Sequence, residues 1–246
     1  MKATGETIDP AEIARFAKHA AGWWDPTGSF RPLHRLNPTR LDFIRGALIG
    51  HFGRDPRSLT PFAGLTLCDV GCGGGLIAEP MARLGFAVTA IDADEEAIPI
   101  AREHAASSGL TIDYRCETVE SLAENQRRFD VVLALEIVEH VADPDALLAA
   151  CAALVKPGGA FIGATLNRTP QAFALAVVGA EYVMRWLPRG THDWRRFLRP
   201  SEFVLGLRRV GLTATSLKGL RYRLTSGDWA ISDDLSVNYL VMAAKR

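Results

Sequence analysis

The chain lacks an excess of charge of either sign, an apolar run of membrane length, and any cysteine pattern suited to zinc. Lys plus Arg and Asp plus Glu each number 28 in 246 residues, so no net field draws a nucleic-acid backbone and no nucleic-acid partner is expected. The four cysteines, Cys68, Cys72, Cys116 and Cys151, fall at no zinc-knuckle spacing and read as reduced thiols of a cytosolic protein. No apolar stretch approaches the ~20 residues of a spanning helix. The polar N-terminus begins a helix early and has no apolar core of a secretory signal. The expected location is therefore cytoplasmic, with contact at the inner face of the cell membrane left open. Repeats and low-complexity tracts are absent, and the length suits one α/β domain with extensions and a large core.

What is present begins at Asp69-Val70-Gly71-Cys72-Gly73-Gly74-Gly75. An apolar run, Leu65 to Val70, leads in, and the helical pattern Leu76, Ile77, Met81, Leu84 follows. Strand, glycine loop and helix in that order let a ligand approach the backbone closely at the edge of an open α/β sheet. Asp92 closes the next strand, Ala87 to Ile91, at 21 residues past Gly71. A carboxylate there accepts hydrogen bonds from the hydroxyls of a ribose. The dinucleotide fingerprint needs a third glycine or alanine where Leu76 stands, and no Gly-Lys-Ser/Thr closes the loop as in a P-loop. Three glycines spaced two apart, Gly71, Gly73 and Gly75, instead resemble the first motif of class I S-adenosylmethionine-dependent methyltransferases.

Strands are expected at 65–70, 87–92, 111–115, 130–135 and 160–165, with helices at 75–84, 94–107, 118–125 and 144–154. That alternation predicts a doubly wound, mostly parallel sheet. A helix over 201–209 and strands near 213–219 and 236–244 complete an expected seven strands. The Lys156-Pro157-Gly158-Gly159 turn is expected to stop the helix before the fifth strand. Asp9-Pro10-Ala11-Glu12 reads as a capping box opening a first helix, and Asn37-Pro38 as the start of a second. The chain is read as one methyltransferase domain, 1–246. It comprises an N-terminal helical extension (1–60), a cofactor-binding core (61–166), an inserted helical segment (167–199) and a C-terminal part of the core (200–246).

Trp23-Trp24-Asp25-Pro26-Thr27-Gly28 forms a rigid loop able to wall a pocket with aromatic surface. Together with Glu136-Ile137-Val138-Glu139-His140-Val141, Thr165-Leu166-Asn167-Arg168 and Val178-Gly179-Ala180-Glu181-Tyr182, it closely resembles the bacterial ubiquinone biosynthesis O-methyltransferases, from about residue 10 to the C-terminus. The resemblance implies S-adenosyl-L-methionine as cofactor and methylation of phenolic hydroxyls on 2-polyprenyl-6-hydroxyphenol and 3-demethylubiquinol. It places the family's cofactor positions on Arg40, Gly71, Asp92 and Leu135, the last often Met in the family. Arg40 also has a physical reason to serve, because a fixed guanidinium pairs with the carboxylate of the methionine moiety. Implied partners are a polyprenylated phenol or quinol, an anionic membrane surface and a ubiquinone-biosynthesis complex.

Glu136, Glu139 and His140 follow a strand end, where α/β sheets place ligands. If the chain turns helical there, the three share one face. Such a set suits a divalent cation, Mg²⁺ by its oxygens, which would lower the pKa of a phenol. His192 is a candidate fourth ligand, ahead of His34. The rival reading makes His140 or Glu136 a metal-free general base. In the insertion, Ala172, Phe173, Leu175, Val177, Val178, Tyr182, Met184, Trp186 and Leu187 stand close to Arg185, Arg189, Arg195, Arg196 and Arg199. That composition suits either an anionic membrane interface or a lid on the core. Two other functions compete: a metal-dependent RNA 2′-O-methyltransferase, which the zero net charge disfavours, and a non-catalytic lipid-binding subunit, which the intact glycine loop and acidic motifs disfavour.

Overall fold

A computed structural model describes residues 7, 9–17, 20–175, 193–223 and 227–246. Parallel strands buried on both faces need apolar runs, and such runs lie in β1 (Thr66–Val70), β2 (Ala87–Asp92), β4 (Phe129–Leu135) and β5 (Val155–Leu166), while the edge strand β3 (Asp113–Cys116) is largely polar and half exposed. β6 (Leu212–Arg223), β7 (Asp228–Ser232) and β8 (Asn238–Lys245) complete one sheet in the order β3-β2-β1-β4-β5-β8-β6-β7. β1 to β5 pair in parallel, and β8, β6 and β7 add in antiparallel fashion. The described sheet thus has eight strands where seven were expected. The additional strand is the short, half-buried edge β7, whose Trp229 packs against Tyr222 of β6.

Among the described residues eight α-helices accompany the sheet: α1 (Pro10–Ala17), α2 (Arg31–Phe52), α3 (Ala78–Arg83), α4 (Ala97–Ser107), α5 (Val119–Glu124), α6 (Pro144–Leu154), α7 (Pro170–Ala172) and α8 (Pro200–Arg209). Alternate residues of β4 divide between two cores. Val131 and Leu133 join Ile44 and Leu48 of α2, Met81 of α3 and Ile98 of α4. Val132 and Ala134 join Leu122 of α5, Leu147 and Cys151 of α6, and Phe203 and Leu207 of α8. Strand order reverses between β1 and β4, so their carboxyl ends open the crevice where ligands bind in such sheets.

Two local expectations are corrected. α2 starts at Arg31, with Pro32 in its first turn, and runs through Pro38. A proline lacks an N–H, so that helix forgoes one hydrogen bond at Pro38. Asn37 is not a cap: it is buried and accepts from Arg40 Nη1 through Oδ1 at 3.3 Å. Lys156 to Gly159 lie inside β5 as a bulge, since the pairing jumps from Phe129–Val155 to Val131–Ala160.

Candidate active site

Gly71 and Gly73 leave β1 with φ of 74° and 50°, a region nearly closed to side chains. The space is closed too: a Cβ on Gly71 would lie 2.6 Å from Ile137 Cδ1, and one on Gly73 2.4 Å from the Trp23 ring. Backbone is therefore all that lines this cradle. Asp92, at the end of β2, braces it: Gly73 N donates to Oδ2 at 2.8 Å and Asp94 N to Oδ1 at 2.9 Å. Burial raises the Asp92 pKa, and these amide bonds oppose the shift. Each carboxylate oxygen retains acceptor capacity for a ribose hydroxyl. Beside it Asp69 is fully buried, with Oδ2 unpartnered and a pKa pushed up to about 7, by desolvation first and by the Asp92 charge second.

The tryptophan strap covers the cradle. Trp23 lies over Gly73 and Gly74 and stacks on Phe30 at 3.7 Å. Trp24 donates from Nε1 to Gly74 O at 2.9 Å and stacks on His104 at 3.4 Å. His34 is spent here, its Nε2 standing 2.8 Å from Trp23 O.

At the end of β4 the chain does not become helical. Glu136 takes φ 53°, and residues 138–140 form a turn. Each of the three expected ligands meets a partner outside the set. Glu136 Oε1 pairs with Arg40 Nη2 at 2.6 Å, with Arg40 3% exposed and Glu136 22%. Glu139 is buried and accepts from Thr165 Oγ1 through Oε2 at 2.9 Å, while Oε1 finds no hydrogen-bond partner. Burial, then the neighbouring Glu136, push its pKa well up. His140 meets Glu12 Oε2 of α1 at 2.8 Å through Nδ1. Among the described residues, no three His, Cys, Asp or Glu side chains stand as a group that could hold a metal. The side chains as placed thus give no support to the expected Glu136–Glu139–His140–His192 metal set, whose fourth member is outside the described residues. His192 lies outside the described residues, as do 178–182, Arg185 and Arg189.

Arg40 was expected at the methionine carboxylate. It is shared between Asn37 and Glu136, and its Nε is buried without a hydrogen-bond partner, a donor still available to such a carboxylate. Gly71, Gly73, Asp92, Leu135, Glu136, His140 and Arg40 all line one cavity of about 760 Å³. Leu33, Leu36, Leu220, Tyr222 and Trp229 give it an apolar wall. Glu12 and Trp23 also line it and were missed as site residues. The capping-box pattern accounted for Glu12 without any role in the site. The adjacent tryptophans did signal a pocket wall, without saying against what.

A glycine cradle braced by an acidic residue at the end of β2, at the switch point of this sheet, defines a class I S-adenosylmethionine-dependent methyltransferase. A methyltransferase-domain family model matches residues 68–163. The fold resembles a magnesium protoporphyrin IX methyltransferase from Synechocystis with bound S-adenosylhomocysteine, with a TM-score of 0.64 at 15% identity over 96% of this chain and all of that one. A ubiquinone biosynthesis O-methyltransferase of Paramagnetospirillum magneticum is 54% identical over 97% of this chain and 96% of its own length. One of Cereibacter sphaeroides is 54% identical over 100% and 99%. The chain belongs to the ubiquinone biosynthesis O-methyltransferase family.

Proposed function

We propose that this chain moves the methyl group of S-adenosyl-L-methionine to phenolic hydroxyls of 2-polyprenyl-6-hydroxyphenol and 3-demethylubiquinol. The observation that carries the reading is that cofactor cradle, buried ionic pairs and apolar wall share one cavity of about 760 Å³. A phenol head beside Glu136 and His140 would keep its prenyl tail among Leu33, Leu36, Leu220 and Trp229. The displacement is in line: the phenol oxygen bonds the methyl carbon as the sulfur–carbon bond breaks, and the phenol proton passes to His140. A carboxylate only accepts, so the neutral imidazole carries its proton on Nδ1, toward Glu12, and Nε2 is the basic nitrogen. Glu136, held by Arg40, accepts from the acceptor's second hydroxyl and fixes the ring. As placed, Glu136, Glu139 and His140 do not fit a divalent ion, and no step is routed through one.

Membrane contact belongs to the same reading, because the acceptor is a lipid. Phe173 and Leu175, 44% and 52% exposed, precede the insertion's apolar and basic stretch. Among the described residues no helix is long and apolar enough to cross a membrane, so contact would be peripheral, and anionic vesicles should pellet the protein better than neutral ones.

The deciding experiment supplies labelled cofactor with a prenylated catechol and, separately, with RNA, each with and without a chelator. Label in the catechol, none in RNA, and turnover unchanged by chelation are expected. Label in RNA would overturn the substrate class, no label in either would favour the non-catalytic subunit, and loss of turnover on chelation with recovery on added Mg²⁺ would overturn the metal-free base.

A further inference from the structure

We propose that Asn238 is a specificity-determining residue for this reaction: its side-chain amide receives the third ring hydroxyl of the quinol acceptor and so favours the quinol over the simpler catechol. Both acceptors are those of the proposed function, on which this reading rests. Asn238, at the start of β8, is 5% exposed, and its Oδ1 is buried without a hydrogen-bond partner among the described residues. It lines the same cavity as the glycine cradle and Glu136. Leaving a buried acceptor unpaired costs about 1–3 kcal/mol. An orphan kept at a cavity wall is explained by a partner that the ligand brings.

Strand pairing fixes the position. Asn238 is paired with Leu166 of β5, and its neighbour Tyr239 with Thr165 of β5 and Gly219 of β6. Alternate residues of a strand face one side, so Asn238 shares its face with Leu240, which joins the same core as Ile44 and Leu48 of α2. The chain leading into β8 is held as well. Asn167 N donates to Val237 O and Asn167 Nδ2 to Leu235 O, both at 2.7 Å, and Ser236 N donates to Asp234 Oδ1 at 3.0 Å. Leu166 and Leu220 also line the cavity, so the amide is a polar point on a largely apolar wall, the arrangement that fixes a ligand's orientation. Ser236 Oγ, two residues earlier on the same wall, is unmet too.

An amide oxygen only accepts, so the group that satisfies Oδ1 is a donor. In 2-polyprenyl-6-hydroxyphenol there are two hydroxyls: one is methylated, and Glu136 takes its neighbour. 3-Demethylubiquinol has three. Its methylated hydroxyl again has a hydroxyl neighbour for Glu136, and the remaining one lies across the ring from that neighbour. β5 alone separates β4, which ends just before Glu136, from β8. The two side chains therefore start from strands about 10 Å apart, with room for one ring between them. The third hydroxyl of the quinol donates to Asn238 Oδ1, whereas the catechol leaves the amide unmet.

The test uses the full chain and its Asn238→Leu and Asn238→Ala variants with three short-prenyl acceptors: the catechol, the quinol kept reduced, and a quinol analogue lacking only the third hydroxyl. The quinol-to-analogue ratio of kcat/KM should fall about three- to tenfold in both variants, the fold-change of one neutral hydrogen bond. The quinol-to-catechol ratio should fall with it. A ratio taken within one variant does not depend on how much of it folds, so a lowered melting temperature leaves the test standing. Unchanged ratios, whether the rates hold or fall equally on all three acceptors, would overturn the contact and make Asn238 a piece of wall. The proposed function would then stand, because the wild type still methylates the quinol. No wild-type turnover of any of the three phenols would instead remove the proposed function, and this contact with it.

Discussion

Replacing Asp92 with alanine removes one carboxylate that does two things. In the protein alone it accepts from Gly73 N at 2.8 Å and from Asp94 N at 2.9 Å. Hydrogen bonds to a charged group contribute about 1.5–3 kcal/mol each. Two considerations pull the expected loss to the lower end: the site opens to the cavity, where water can reach the orphaned amides, and the buried carboxylate already carries a desolvation cost that raises its pKa. A loss of about 2–3 kcal/mol is expected, or a melting temperature lowered by about 4–12 °C at this chain length. With cofactor bound, the ribose hydroxyls lose their acceptor at a further cost of about 1.5–3 kcal/mol, a ten- to hundredfold weaker Kd. Calorimetric titration with S-adenosylhomocysteine and with its 2′-deoxy analogue separates the two effects. Wild type should lose affinity on removal of the hydroxyl, whereas the alanine variant should scarcely notice, because the two changes delete one interaction. Strict additivity of the variant and the deoxy change would refute the ribose contact and leave Asp92 as a brace for the glycine loop alone.

Gly73→Ala puts a methyl at φ 50° and 2.4 Å from the Trp23 ring. Backbone strain of about 1–2 kcal/mol and the displaced indole should weaken cofactor binding at least tenfold by titration and change the tryptophan fluorescence, and unchanged values for both would refute the strap's seat on the loop. Asp69, with a pKa raised from 3.8 to about 7 by burial and by Asp92, binds its proton more tightly folded than unfolded. Stability should therefore fall as pH rises from about 4 to about 7, by up to a few kcal/mol, and Asp69→Asn should flatten that slope in denaturant melts. An unchanged slope in the variant would refute the shift.

The parallel core was legible because strands buried on both faces read as unbroken apolar runs, and because Gly71 to Gly75 sit between such a run and a helical pattern. β7 was not: Asp228 to Ser232 are five half-buried or exposed residues at a sheet edge, without an apolar run to mark them. The start of α2 was misread because Asn37-Pro38 has the composition of a helix start, while the helix begins six residues earlier, with Pro32 in its first turn, and Asn37 and Arg40 form an i,i+3 pair inside it. The error at Glu136 has a similar root. Glu-Ile-Val-Glu-His has helical spacing, and nothing in that string announces a glutamate at φ 53°. Once that residue turns left-handed, the common face assumed for positions 136, 139 and 140 no longer exists.

The contacts that spacing could not reveal all join the first 60 residues to the sheet: Glu12 to His140, Arg40 to Glu136, Trp23 to the glycine loop. The sheet supplies Gly71, Gly73 and Asp92, which on the proposed function hold the cofactor whatever the acceptor. A magnesium protoporphyrin IX methyltransferase shares that fold at 15% identity, so the sheet itself does not choose the acceptor. The orientation of His140 and the pinning of Glu136 are imposed by α1 and α2, and the tryptophan strap lays an aromatic cover on the cofactor loop. On the proposed function, selection for a phenolic acceptor therefore rests on contacts between elements far apart in sequence. For that reason the N-terminal extension, which local patterning reads as an ordinary capped helix, shares the cavity with the glycine loop.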